Sequence, residues 1–161
     1  MASSFSELGL ELMVTGENAG TWGDKTNSNL NLVQQAIAGF QAVTVNGTGT
    51  TTLAMTDATI SNARNAIIKL SGTITGNINV TIPNSIEKSY IVQNATSGSH
   101  TVTFKTVSGS GVTFSATEKT TSLVYSDGTN IVEVNPVLTG LIVGTDVQAY
   151  DADLTAIGAL A

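Results

Sequence analysis

Cysteine is absent from the 161-residue chain, so neither a disulfide frame nor a thiolate metal site is open to it, and redox chemistry says nothing of its compartment. Histidine occurs once, as His100, which excludes a paired-histidine metal site and leaves one base for any Ser–His–acid triad. Charge is scarce too. Asp, Glu, Lys and Arg make up 11% of the residues, against roughly 25% in a typical soluble domain. The formal net charge of −6 gives no cationic footprint for a phosphate backbone, so no nucleic-acid partner is expected. No apolar run approaches the roughly 20 residues of a spanning helix, and MASSFSELGLELM lacks a basic stretch followed by an apolar core. The sequence therefore predicts no membrane partner, no Sec leader and synthesis in the cytoplasm.

What is plentiful is Thr, Ser, Asn and Gly, a neutral, hydroxyl-rich composition suited to extended β-structure. From about 41 to 136 the chain alternates with the strand period. QAVTV and TTLAM are short runs divided by NGTGT, whose Asn-Gly step favours a tight turn. Thr56 to Arg64 reads as a turn or one helical turn. NAIIKL, TITGNINVTI, SYIVQN, HTVTFKTV, GVTF, TTSLVYS and TNIVEV follow as strands separated by Ser/Gly clusters, Pro83 and Asp127-Gly128. Many short strands with regular turn signals predict a mainly β fold: a small antiparallel β-sandwich, jelly-roll-like, flanked by an N-terminal helix and a C-terminal helical segment. Its expected core is Ile67, Leu70, Ile74, Ile78, Val80, Ile82, Ile91, Val102, Phe104, Phe114, Leu123, Val124, Ile131 and Val134. The boundaries fall near 40 and 137, giving an N-terminal segment 1–40, a β-domain 41–136 and a linker with terminal helix 137–161.

Two narrow apolar seams flank that middle. Between Asp24 and Ala38, Leu30, Val33, Ile37 and Phe40 recur at three and four residues, with Asp24 or Thr26 as cap and Gly39 as stop. In the tail, Val147, Tyr150, Leu154, Ile157 and Ala161 repeat the pattern, with Asp146, Asp151 and Asp153 at the helix start and Thr145 or Asp146 as cap. Each large residue of the tail seam gains about 1.5–3 kcal/mol from full burial, while fixing the backbone costs about 1–2 kcal/mol per residue. Helices this short are marginal alone. The seam thus requires a cover: its own domain, further copies of the chain, or a following segment. Trp22, the one tryptophan, stands between glycines and is expected to anchor its loop by burying its ring.

The search for chemistry yields structural readings. His100 sits in TSGSHTVTF at a turn entering a strand. Asp151 and Asp153, two apart, point to different faces of a helix rather than across a sugar ring. Ser108-Gly109-Ser110-Gly111 lacks the lysine and following helix of a phosphate loop. Asp127-Gly128-Thr129-Asn130 matches a hairpin turn and lacks the later Glu of a calcium loop. No enzyme activity, cofactor or metal is expected.

GENAGTWGDKTNSNLNLVQQAIAG resembles the N-terminal module of tail-fibre and virion structural proteins of tailed bacteriophages. ARNAIIKLSGTITGNINVTIPNSIEKSYIVQNATSGSHTVTFKT with VYSDGTNIVEV is similar to the small β-domain of the same proteins, and GTDVQAYDADLTAI to the segment joining one fibre module to the next. The resemblance implies a homotrimeric virion part, attached to the particle through its N-terminal region, with receptor binding beyond this chain. Its partners would be further copies of itself and a tail, baseplate or adaptor protein, or a capsid protein if it is a head fibre or decoration protein. Trp22, Leu30, Val33, Ile37, Val147, Tyr150, Leu154 and Ile157 are the expected assembly residues. A carbohydrate-binding module stacking sugars on Trp22, Tyr90, Tyr125 or Tyr150 is the rival from another class.

Overall fold

A computed structural model describes residues 3–117 and 119–134. The protein is mainly β. After a small hairpin of β1 (Ser4–Phe5) and β2 (Glu11–Leu12) comes one helix, α1 (Trp22–Ala38). The strands β3 (Phe40–Thr44), β4 (Gly47–Thr52), β5 (Ile67–Ile82), β6 (Glu87–Ser97), β7 (Val102–Thr106), β8 (Gly111–Phe114), β9 (Thr121–Asp127) and β10 (Ile131–Glu133) follow, with a 3-10 turn, Asn62–Arg64, before β5.

The strands do not pair as the antiparallel set expected from the sequence. β3 and β4 both run parallel to β5, which in turn runs parallel to β6 along its first half and to β7 along its second. Outside the β1–β2 hairpin, β8, β9 and β10 are the strands that return antiparallel. The two predicted strands NAIIKL and TITGNINVTI are one strand of 16 residues. Straight, it would span about 50 Å, yet its end at Ile82 must connect to Glu87 through a link that reaches at most about 18 Å. β5 therefore curls back toward its own start, and the chain makes three parallel passes, β3–β4, β5 and β6–β7, like turns of a coil. Parallel strands ordinarily need a long crossover; here the curl of the strand supplies it. Ile131 N–H donates to Ser110 O at 3.0 Å, drawing β10 toward β8 and nearly closing the sheet.

All of NGTGT but its Asn46 belongs to strand β4 rather than to a turn. Asn46 instead makes the corner, its Oδ1 accepting from Thr73 N–H at 3.0 Å. Gly72 faces that corner at φ +116, and a Cβ there would strike Val45 O, so only glycine lets β5 pass so close.

Inside the coil, successive passes stack like residues: Ile68 on Val92, Leu70 between Val43 and Asn94, Ile78 on Val102, Val80 on Phe104. The buried core also takes Val45, Leu53, Ile74, Ile82, Tyr90, Phe114, Val124 and Ile131. Four residues expected there lie elsewhere. Ile91 and Leu123 are exposed and Ile67 is half-buried, because each is on the outer face of its strand while the neighbouring Val92, Val124 or Ile68 takes the inside; Val134, just past the end of β10, is exposed as well.

Helix α1 begins earlier than expected. Its flanking residue is Thr21, without a side-chain cap bond. Asp24 sits in the first turn, where its charge favours the dipole, and Thr26 Oγ donates back to Trp22 O instead of capping. Gly39 stops the helix, its N–H bonded to Gln35 O.

Candidate functional site

The N-terminal segment is a polar assembly that positions α1. Glu11, 7% exposed, pairs with Lys25 at 2.9 Å. The Asn29 side chain brackets the Glu11 backbone, accepting from its N–H at 2.9 Å and donating to its carbonyl at 2.8 Å. Ser3 Oγ lies 2.9 Å from Glu11 Oε1 and 2.8 Å from Glu17 Oε2, and Glu17 also accepts from the N–H groups of Ser3 and Val14. The Lys25 and Ser3 bonds hold the Glu11 carboxyl below its ordinary pKa; those from Ser3 and Val14 do the same for Glu17. The GEN and GDKTNSN strings singled out in the sequence thus build one network.

Arg64, the sole arginine, joins this network to the β-body. It is fully buried. Its Nε donates to Leu8 O, Nη1 to Thr59 O and Gln35 Oε1, and Nη2 to Thr56 O. Burial pushes its pKa down and the Asp57 charge raises it. The sequence signal was a lone arginine in a stretch otherwise without positive charge between Lys25 and Lys69.

With α1 held so, its apolar stripe faces outward. Leu32 is the helix's buried residue. Leu30 is 60% exposed and Ile37 73%, while Val33 is half-buried. Trp22 is not buried among its glycines: it opens the helix on this same face and is 65% exposed. Val147, Tyr150, Leu154 and Ile157 lie outside the described residues.

Near Ile37 the stripe meets a second apolar feature that the sequence did not reveal. Phe40, Ile67, Ile91 and Leu123 are successive partners on β3, β5, β6 and β9, all on the outer face. Val134, whose N–H donates to Leu123 O, ends the row. At its α1 end an open groove of about 320 Å³ is lined by Ala36, Ile37, Ile67, Ile91 and Leu123, with Lys88 its one charged residue. Lys88 Nζ donates to Asn65 O and Ser89 O and stands 3.7 Å from the Tyr90 ring centroid, a cation–π contact. Burial lowers its pKa from 10.5 to about 8.

The other sequence candidates are turns. Asp127 accepts from the N–H groups of Thr129 and Asn130, which lowers its pKa and closes the β9–β10 hairpin. Gly109 and Ser110 spend their N–H groups on Thr106 Oγ and Asn130 Oδ1. His100 lies just before β7, half-buried, its carbonyl accepting from Lys119 Nζ. Among the described residues no cluster of three or more His, Asp or Glu side chains is placed to hold a metal, and no helix is long and apolar enough to cross a membrane. Comparison with family models, curated proteins and solved structures returns no match.

Proposed function

We propose that the chain is a structural virion protein, a bacteriophage tail fibre or its virion-proximal part, that assembles as a homotrimer and anchors the fibre to the particle. The resemblance of GENAGTWGDKTNSNLNLVQQAIAG, of the β-domain and of GTDVQAYDADLTAI to phage fibre proteins supports the class. The observation that carries the assembly reading is the outward stripe of α1. A helix serving only its own domain turns its large apolar residues inward, whereas this one turns Leu30 and Ile37 to solvent. Three copies can bury the stripe symmetrically, using the same residues from each chain.

Sedimentation equilibrium of the whole chain tests the reading. The expected mass is three times 16.5 kDa, falling toward the single-chain value in the Leu30→Asp/Ile37→Asp double variant. A stable monomer at micromolar concentration overturns it. Labelled particles imaged by electron microscopy report whether the protein sits on the tail.

A further inference from the structure

We propose that the pocket where the end of α1 meets β3 is a binding site for one ring of a neutral sugar. The pocket holds about 260 Å³ and is walled by the amides of Asn31, Gln34, Gln35 and Asn65, with Gly39 and Phe40 at its end. Among the described residues none that lines it is charged. Neither an anion nor a cation finds a counter-charge there.

Asn65 carries the argument. The residue is 3% exposed, and its Nδ2 donates to Ser61 O at 3.1 Å and to Asn62 O at 3.2 Å. Those two bonds fix which way the amide points and leave Oδ1 without a donor among the described residues. The oxygen lies against Gly39, where a Cβ would strike it. A buried acceptor without a donor is costly, but this one stands at the wall of an open pocket, where a ligand hydroxyl supplies the missing bond.

Gln35 is fixed in the opposite sense. Its Oε1 accepts from Ser61 N–H and from Arg64 Nη1, both at 3.2 Å, so Nε2 is the group left over, a donor. Asn31 and Gln34, both exposed, each add a donor and an acceptor. A ligand for this wall must donate and accept within one small uncharged molecule, as the hydroxyls of a sugar ring do. Phe40, 59% exposed, offers an aromatic surface to the C–H face of that ring.

Asn31, Gln34, Gln35 and Ala38 recur at three and four residues and form a face of α1 beside, not on, the Leu30–Ile37 stripe. The inference therefore does not rest on the proposed function, because the pocket is complete within one subunit and burying the stripe does not use it.

The test is a titration of the full isotope-labelled chain with glucose, galactose and N-acetylglucosamine in turn, followed through the side-chain amide signals. Those of Asn31, Gln34 and Gln35 are expected to shift saturably with at least one sugar, at a Kd of about 1 mM for a ligand of this size, while the Trp22 indole signal stays still. Phe40→Ala and Gln34→Ala, both at exposed positions, should each weaken binding about fivefold, the factor of one aromatic contact or one hydrogen bond. Leu30→Asp/Ile37→Asp should bind as the parent does. No saturable shift with any of the three at concentrations well above that Kd overturns the site. Equal shifts with glycerol, which has hydroxyls but no ring face, overturn it too, as does sugar binding that moves Trp22 instead or that neither Phe40→Ala nor Gln34→Ala weakens.

Discussion

The Arg64 guanidinium donates through Nε to Leu8 O at 2.8 Å, a bond that spans 56 residues of sequence. Its other nitrogens take the carbonyls of Thr56 and Thr59 and the Gln35 amide oxygen. One side chain therefore ties the N-terminal hairpin, the helix and the loop before β5 into a single piece. Replacing it with methionine takes the donor from Leu8 O, whereas Gln35 Oε1 keeps Ser61 N–H, Thr59 O keeps Ser61 Oγ and Thr56 O keeps Thr59 N–H, so the cost is about 1–3 kcal/mol for the one group left unsatisfied. Arg64→Met is expected to lose about 1–3 kcal/mol in urea denaturation, and Arg64→Lys to rescue little, since one ammonium cannot span the fork. Gly9→Ala should act through the same contact: its Cβ would meet Arg64 Nη2 at 2.6 Å, at a φ of +70.

Trp22 reports on assembly directly. In a single subunit its ring is mostly in water, so dilute protein should emit at long wavelength. Association through the α1 stripe should shift the emission to the blue as concentration rises. In Leu30→Asp/Ile37→Asp the emission should stay constant with dilution, while the stability of the β-body changes by no more than about 0.5 kcal/mol, as expected for exposed positions.

Acid should loosen the N-terminal segment before the coil. Glu11 and Glu17 have folded pKa values below the ordinary 4.5. The stability they contribute is therefore complete above about 4.5 and is lost as pH falls through their lowered values. Amide exchange at Glu11, Val14 and Asn29 should accelerate in that window ahead of Val80 and Phe104. Glu11→Gln should remove much of the pH dependence.

Lys88 predicts the opposite limb. Its folded pKa of about 8 lies below the ordinary 10.5, so between these values the unfolded chain binds more protons than the folded one. This group accordingly adds stability as pH rises from 8 to 10.5. Urea denaturation at a series of alkaline pH values should show that slope reduced in Lys88→Met. Beneath it, Tyr90→Phe deletes the bond from the buried hydroxyl to Ala63 O at 3.0 Å and should cost about 1 kcal/mol.

The legible parts of the chain were those with local causes. The spacing of Leu30, Val33 and Ile37 marked α1, although the residue flanking its start is Thr21 rather than Asp24 or Thr26, and Gly39 marked its stop. Asp127-Gly128 gave the β9–β10 hairpin because Asx and glycine chemistry is complete within the turn. The doublets Ile67-Ile68, Ile91-Val92 and Leu123-Val124 were not legible, since a strand alternates its faces and either member of a pair satisfies the period. Sequence order assigned Ile91 and Leu123 to the core; packing turned them outward and assembled the apolar row. Arg64 could not be placed either, because its partners come from positions 8, 35, 56 and 59 and share no periodic signal.

By itself the sequence determined a β-rich chain with an amphipathic helix ahead of the strands, tight glycine turns and few charged groups, because each of these follows from composition or from contacts a few residues long. Only the tertiary structure decided that β5 curls through a full pass, that its neighbours run parallel, and which of two adjacent aliphatics faces the interior. Those choices depend on closing the coil around a shared core, where residues far apart in the chain must fit at once, and no local pattern encodes that fit.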